Sequence, residues 1–462
     1  MEKKHFNLIA YFLISIVIVN AVLNFFINDF KIYTEYLNIY DLLAGFLLFV
    51  FLYFVGRIIK NIFHLSSVSI GIVLYLFSFF FLDIVSLFFY TQISFNEIFI
   101  VVNIIWLVIV TRQKKNYEYL AYSIFSYFLL NYFVDSFIEK LTKNNKLIGD
   151  VEAVFFEQSK NIFEYSYFFS VNNYVMEGYP QFISYFQSLF LKISSNIIVY
   201  DFLAFTSHIV FYLTILLFFE LKISHLNKYL LIVTFSLAIF NSDWLQFLFT
   251  TSLMSEGLVS LFTAVTIYNV FENLENKNKF GYINYFLLGL LYFSKQFNSL
   301  IVMIVLVFLF ILNQNKKLIL FGFIGLILKE LLYIFVFKGV SKDHHIKQID
   351  LGDTVIDLIT FTDLKIYNIF LILKNLWIDK PITILFIIFY FLFIGNYLFS
   401  TNIERNSYLY FLIVNINFIF IFALYISVWR NMELESPIRY MLNFFHLMLI
   451  SSFSNLNFLT KK

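Results

Sequence analysis

The sequence predicts an all-α protein, a polytopic transmembrane helix bundle of about 12–14 spans with loops on its outer face and an amphipathic helix at the surface. Three observations lead there. Of the 462 residues, 61% are hydrophobic and the mean hydropathy is +0.81, so the apolar surface exceeds what a water-soluble core can hide. Charged residues make up 13%, about half the usual share of roughly 25% in soluble domains. The apolar residues also come in long runs, many of them near the ~20 residues that cross a hydrocarbon core.

Charge and cysteine usage exclude several function classes. A net charge of +2 does not provide the strongly basic face of a nucleic-acid binder. The chain has no Cys, so it has no disulfide, thiolate nucleophile or Cys-ligated metal.

In order along the chain, the run from Asn7 to Ile27 follows Lys3 and Lys4 without a small-residue cleavage site, which predicts a first span rather than a removed signal. Further spans are predicted at 41–56, 68–91, 95–111 and 118–135, making residues 1–138 an N-terminal transmembrane segment of about five spans. The remainder, 139–462, holds spans at 197–219, 229–241, 250–271, 282–295, 297–313, 317–337, 382–399, 408–428 and 437–456. Gly281–Leu312 is too long for one helix, and Ser294-Lys295-Gln296-Phe297-Asn298 interrupts it, which predicts a reversal there.

Orientation follows from basic residues flanking the spans. Lys3/Lys4, Arg57/Lys60, Arg112/Lys114/Lys115, Lys222/Lys228, Lys277/Lys279, Lys316/Lys317, Arg405 and Lys461/Lys462 fall on one side, which is therefore cytoplasmic and holds both termini. Two long polar connections, 139–196 and 338–381, then lie outside. Within the first, Phe182, Phe186, Leu189, Phe190 and Ile193 share one helical face. That face rests either on the outer membrane surface or on the protein itself.

Charges inside spans are costly and are usually paired or functional. Asp83, Glu256, Lys295, Lys329 and Glu330 each fall in the outer half of a predicted span. Asp343-His344-His345 reads as a solvated loop rather than a metal site, because no ligand set of fixed spacing accompanies it.

Four segments together resemble the membrane-embedded glycosyltransferases of the GT-C superfamily, which use polyprenyl-phosphate-linked sugars at the outer face. The first is Gly149-Asp150-Val151-Glu152-Ala153, followed by Ile162-Phe163-Glu164 and Glu177-Gly178-Tyr179-Pro180. It resembles the family's large acidic outer loop. The second, Thr250–Gly257, has the acidic Glu256 near the outer start of a helix, and the third, Gly289–Gln296, resembles a Gly-rich helix ending in Lys. The fourth, Glu435-Ser436-Pro437-Ile438-Arg439-Tyr440, resembles the Arg-Tyr that opens the last helix. In one respect the chain departs from the family: about five spans precede the acidic loop, where one is usual.

The resemblance implies an inverting transfer of a hexosyl or pentosyl group from a polyprenyl-phosphate donor to a glycolipid, polysaccharide or protein acceptor. It also implies an integral protein of a bacterial inner (plasma) membrane. A hydroxyl attacking an anomeric carbon must lose a proton, which a carboxylate can take. The departing phosphate needs cationic partners. On that basis Asp150 is the expected base, with Glu152 as its alternative, and Glu256 orients the acceptor or a cation. Lys295 and Arg439 are the expected phosphate ligands. No cofactor or metal is implied by the residues. The partners expected are the bilayer, the lipid-linked donor and an acceptor, with no nucleic acid. An O-antigen polymerase or ligase would use outer-loop arginines, of which there are almost none. A lipid or solute transporter would place paired broken helices and charges near the midplane.

Overall fold

The structure, a computed structural model, describes residues 39–88, 95–111, 199–241, 255–276, 281–291, 298–312, 316–336, 405–427 and 441–454. It also describes isolated helical positions at 159, 186, 188 and 374 and between 385 and 393. Among the described residues helix is the only regular secondary structure, as the sequence predicts. The helices are α1 (Ile39–Phe63), α2 (Val68–Phe88), α3 (Phe95–Thr111), α4 (Val199–Glu220), α5 (His225–Asn241), α6 (Ser255–Asn276), α7 (Gly281–Leu290), α8 (Asn298–Ile311), α9 (Lys316–Val336), α10 (Arg405–Ser427) and α11 (Phe445–Ser454). A 3₁₀ turn, Leu442–Phe444, leads into α11. The predicted spans 7–28 and 118–135 lie outside the described residues, as do almost all of both outer connections.

The chain forms two compact units that interleave along the sequence. The larger comprises 32–220 and 250–344, and the smaller comprises 1–31, 221–249 and 345–462.

At the centre of the larger unit is α6, whose described side chains from Gly257 to Glu272 are all buried. A helix hydrophobic all round is expected in such a place, yet α6 also buries Ser260, Thr263, Thr266, Asn269 and Glu272. Other helices of this unit turn apolar residues outward. On α3 these are Ile100, Val101, Ile104, Ile105 and Val108, and on α9 they are Leu320, Phe321, Ile324, Ile327 and Leu331. Both sets follow the spacing of one helical face. The centre thus holds a few polar residues among apolar ones, while other large apolar side chains face out.

The closest helix pairing is α7 against α9. A Cβ on Gly289 would stand 2.7 Å from the Gly325 Cα and 2.8 Å from the Leu326 nitrogen. Only glycine permits that approach of two backbones. The Tyr285 carbonyl lies beside Gly322, the Phe286 carbonyl beside Gly325, and Gly289 beside Leu326. The contacts advance together along both helices, so α7 and α9 run parallel. The chain therefore doubles back between them through α8, in agreement with the reversal expected within 281–312.

The connection from α1 to α2 departs from expectation. His64 adopts a left-handed backbone, φ 48°, just past the end of α1. The Leu65 N–H then donates to the Lys60 carbonyl at 2.9 Å, closing the helix as a Schellman turn does. Beyond it, α2 leaves at 99° to α1 instead of folding back as an antiparallel span. Gly56 and Gly71 meet at this crossing: a Cβ on Gly56 would stand 2.5 Å from the Ile72 side chain and 2.8 Å from the Val68 carbonyl oxygen. Phe81 of α2 consequently reaches Phe286 of α7, ring centroids 6.4 Å apart.

Among the described residues no single helix is long and apolar enough to cross a membrane. Phe49–Phe63 and Val68–Leu82 meet that length and composition only as a bent pair. Shorter apolar stretches are Ile100–Ile109, Ile209–Glu220, Gly257–Glu272, Ile301–Ile311, Tyr408–Ile419 and Leu442–Ser454.

In the smaller unit α11 packs on α5 and α10. Ser224 caps α5 by accepting the Asn227 N–H at 3.3 Å, and the Asn227 amide donates to the Phe453 carbonyl of α11 at 3.3 Å. Phe235 of α5 meets His446 at 5.6 Å, and Phe418 of α10 meets Phe444 at 6.5 Å. Phe389 and Phe393 stack on Phe411 of α10, which brings the helical positions within the predicted span 382–399 against the next one.

Candidate functional site

The largest polar assembly among the described residues joins four helix ends of the larger unit. Three serines in Ser66-Ser67-Val68-Ser69 begin it. Ser67 is the N-cap of α2, its hydroxyl accepting the Ile70 N–H at 3.2 Å. The two preceding amides, Val68 and Ser69, donate to the carboxylate of Glu220, the last residue of α4, with Ser69 at 3.0 Å. The Ser69 hydroxyl adds a third bond to that carboxylate at 2.7 Å. An anion at a helix N-terminus is favoured by the helix dipole as well as by the free amides.

Asn269 of α6 completes the assembly. Its side-chain oxygen accepts from the Ser66 hydroxyl and, at 2.8 Å, from Ser67. Its amide nitrogen donates to the Val265 carbonyl one turn back at 2.7 Å. Asn284 of α7 donates to the Asn269 carbonyl at 3.4 Å, and the Tyr268 hydroxyl donates to the Glu220 carbonyl at 3.3 Å. The C-terminal parts of α1, α4 and α6 and the start of α7 therefore lie together. This end carries the exposed Arg57 and leads, through α7 and its parallel partner α9, to the exposed Lys316 and Lys317.

The chemistry of this assembly is that of a fastener. Both Glu220 oxygens are engaged by donors, and Asn269 uses its oxygen and its nitrogen. The buried polar residues of α6 do not make a conduit either. Ser260, Thr263, Thr266, Asn269 and Glu272 recur every third residue, so each step rotates about 60° from the last. They spiral around the helix and face different neighbours. Among the described residues no hydrogen-bond partner meets Thr266 Oγ1, Asn284 Oδ1, the Tyr285 hydroxyl or either side-chain polar atom of Asn443.

The expected site residues are distributed differently. Glu256 is the second residue of α6, and its backbone lies 13 residues, or about 20 Å, from Asn269 along the helix. The end of α6 that bears Glu256 is thus remote from the fastened end. Because α6 and α7 are joined at Asn269 and Asn284 by a short connection, α7 ascends towards the Glu256 end and stops at Leu290, five residues short of Lys295. The Glu256 side chain lies outside the described residues, as do Asp150, Glu152, Lys295 and Arg439. The side chains of Asp83, Lys329 and Glu330 lie outside them also, though their helices α2 and α9 are described.

Of the amphipathic segment 181–193, Phe186 and Ser188 are described, and both are helical and buried. The Phe186 ring meets Phe262 of α6 edge-on at 5.6 Å. Phe186 therefore packs on the protein and not on the membrane surface, the second of the two alternatives that its periodicity allows.

Compared with protein-family models, with curated proteins and with solved structures, the chain matches none.

Proposed function

We propose that this protein is a membrane glycosyltransferase that moves a sugar from a polyprenyl-phosphate-linked donor to a hydroxyl acceptor at the non-cytoplasmic face. The observation that supports it most is the arrangement of the larger unit. The helix ends flanked by basic residues are fastened together at one end, and the start of α6 with Glu256 stands about 20 Å away at the other. On that same side α7 ends at Leu290, five residues before Lys295 in the sequence. The large apolar residues that face outward on α3 and α9 support a lipid environment.

In this reading the acceptor oxygen attacks the anomeric carbon as the bond from that carbon to the phosphate oxygen breaks. The acceptor's proton passes to Asp150, or to Glu152 beside it. The electron pair of the broken bond leaves on polyprenyl phosphate, whose charge Lys295 and Arg439 neutralise. Glu256 orients the acceptor or one of these cations.

The test is sugar transfer in membranes at matched expression. Asp150→Asn, nearly isosteric, should lower transfer about 10²–10⁴-fold, the usual worth of general acid–base catalysis. Full activity would remove Asp150 as the base and direct attention to Glu152 and Glu256. Absence of transfer from any polyprenyl-phosphate sugar by the unmodified protein would overturn the reading itself.

A further inference from the structure

Within the larger unit, α8 and α9 stand side by side as a hairpin. Leu306 of α8 lies against Gly322 of α9, five residues before the first helix ends and six after the second begins. Beyond α8 the Leu312 N–H donates to the Phe308 carbonyl at 2.9 Å. The inner side of the pair is apolar and buried, with Val305, Leu306, Leu309 and Ile319.

The outer side is apolar too. On α8, Met303, Val307, Phe310 and Ile311 are exposed, and their exposure rises from 38% to 64% towards the turn. On α9, Leu320, Ile324, Ile327 and Leu331 are exposed. At 3.6 residues per turn those four lie within about 40° of one another, and Lys316 heads the same stripe. Lys317 borders it, and both lysines are exposed. No ion pair or hydrogen bond meets the Lys316 side chain among the described residues. The outward apolar face of α3 differs, for it begins with the exposed acid Glu97.

A cation at the head of an apolar stripe selects a ligand that is anionic at one end and apolar along its length. A free anion leaves the stripe uncovered, and an acidic soluble protein does the same. From Leu320 to Leu331 the stripe rises about 17 Å, against about 15 Å for the hydrocarbon of one leaflet. An acyl chain therefore fits it lengthwise while its headgroup lies at the lysines.

We propose that the α8–α9 hairpin docks an anionic phospholipid of the cytoplasmic leaflet. The headgroup phosphate meets Lys316 and Lys317, and an acyl chain lies along Leu320, Ile324, Ile327 and Leu331. This rests on the membrane reading above and is independent of sugar transfer.

The experiment uses the full chain in a neutral detergent. Native mass spectrometry measures the affinity of the first lipid bound in titrations with dioleoylphosphatidylglycerol or dioleoylphosphatidylcholine. The unmodified protein should prefer phosphatidylglycerol. Lys316→Gln should weaken that lipid about 5-fold, and Lys316→Gln with Lys317→Gln about 30-fold, the worth of one and of two basic residues beside an anionic surface. Ile324→Asn should weaken both lipids alike. Arg57→Gln removes another exposed cation from the same end of the unit and should leave the preference intact. All these positions are exposed, so melting temperatures should match that of the unmodified protein.

Equal affinity for the two lipids overturns the proposal, and so does a preference that survives loss of both lysines. An equal loss in Arg57→Gln overturns it as well, because diffuse surface charge then explains the preference. Complete displacement of the lipid by inorganic phosphate marks a free-phosphate site and overturns the lipid assignment. Alkaline carbonate extraction tests the membrane reading separately. Release of the full chain from its membranes would refute that reading, whereas a chain that stays in the membrane without lipid preference refutes only the docking surface.

Discussion

Replacing Glu220 by glutamine tests whether one carboxylate holds the larger unit's fastened end together. Three donors converge on it: the amides of Val68 and Ser69 and the Ser69 hydroxyl. Glutamine has a single acceptor oxygen, so its NH₂ group must face one of the two backbone amides. The Ser69 hydroxyl has an escape, since the Ser67 oxygen lies 3.0 Å away. One amide has none. Leaving it unmet costs about 1–3 kcal/mol, and losing the charge at the helix N-terminus costs about 0.3–1 kcal/mol more. Together the loss is about 1–4 kcal/mol, or roughly 5- to 800-fold in the folding equilibrium. Because the carboxylate is only half-buried, water can reach the site, and the lower half of that range is expected. Equilibrium unfolding of the purified protein in mixed micelles with increasing SDS measures it directly. A double-mutant cycle with Ser69→Ala should show coupling between the two positions, because they share a hydrogen bond. Stability of Glu220→Gln within about 0.3 kcal/mol of the unmodified protein, with no coupling to Ser69, would refute the reasoning.

Three further outcomes are expected. Gly289→Ala should destabilise by about 1–3 kcal/mol in the same unfolding assay, because its methyl meets the Gly325 and Leu326 backbone; Gly322→Ala should cost less, since its nearest obstacle at 2.5 Å is the movable tip of Leu306. In this chain without native Cys, Lys316→Cys should react with an impermeant thiol reagent only from the cytoplasmic side and Asp150→Cys only from outside; the opposite pattern would invert the topology. Arg439→Ala should raise the KM for a polyprenyl-phosphate donor, and Arg439→Lys should restore it only in part if the phosphate is held by two parallel bonds.

The helical character of the chain was legible because apolar run length alone decides it, and the reversal between α7 and α9 was legible from a polar interruption and the lysines at 316 and 317. The course of α2 was not. Residues 68–91 read as an ordinary span, and nothing in their composition says that Gly56 and Gly71 meet or that α2 leaves α1 at 99°. A crossing angle belongs to a pair of surfaces, whereas periodicity describes one. Glu220 went unnoticed because it ends an apolar run, where an acid appears merely to mark the water boundary. The serines before α2 did carry an N-cap signal, but the acid that completes the cap comes from about 150 residues further on. Asn443 was hidden for a different reason: an asparagine in an apolar helix usually bonds to its own backbone, and only atomic placement shows that this one does not. For Phe186, spacing fixed the apolar face but could not say what that face would rest on.

The Glu220 cap also has a consequence in time. The amides of α2 are made long before their partner, for Val68 and Glu220 are 152 residues apart and Ser66 and Asn269 are 203 apart. At synthesis rates of about 5–20 residues per second, the carboxylate emerges roughly 8–30 seconds after the helix it caps, and Asn269 emerges roughly 10–40 seconds after the serines. During that interval the start of α2 has only Ser67 and water to satisfy it, so it can settle only where water reaches. The start of α2 therefore waits in a provisional position, and the arrival of α4 and then α6 fixes it from behind.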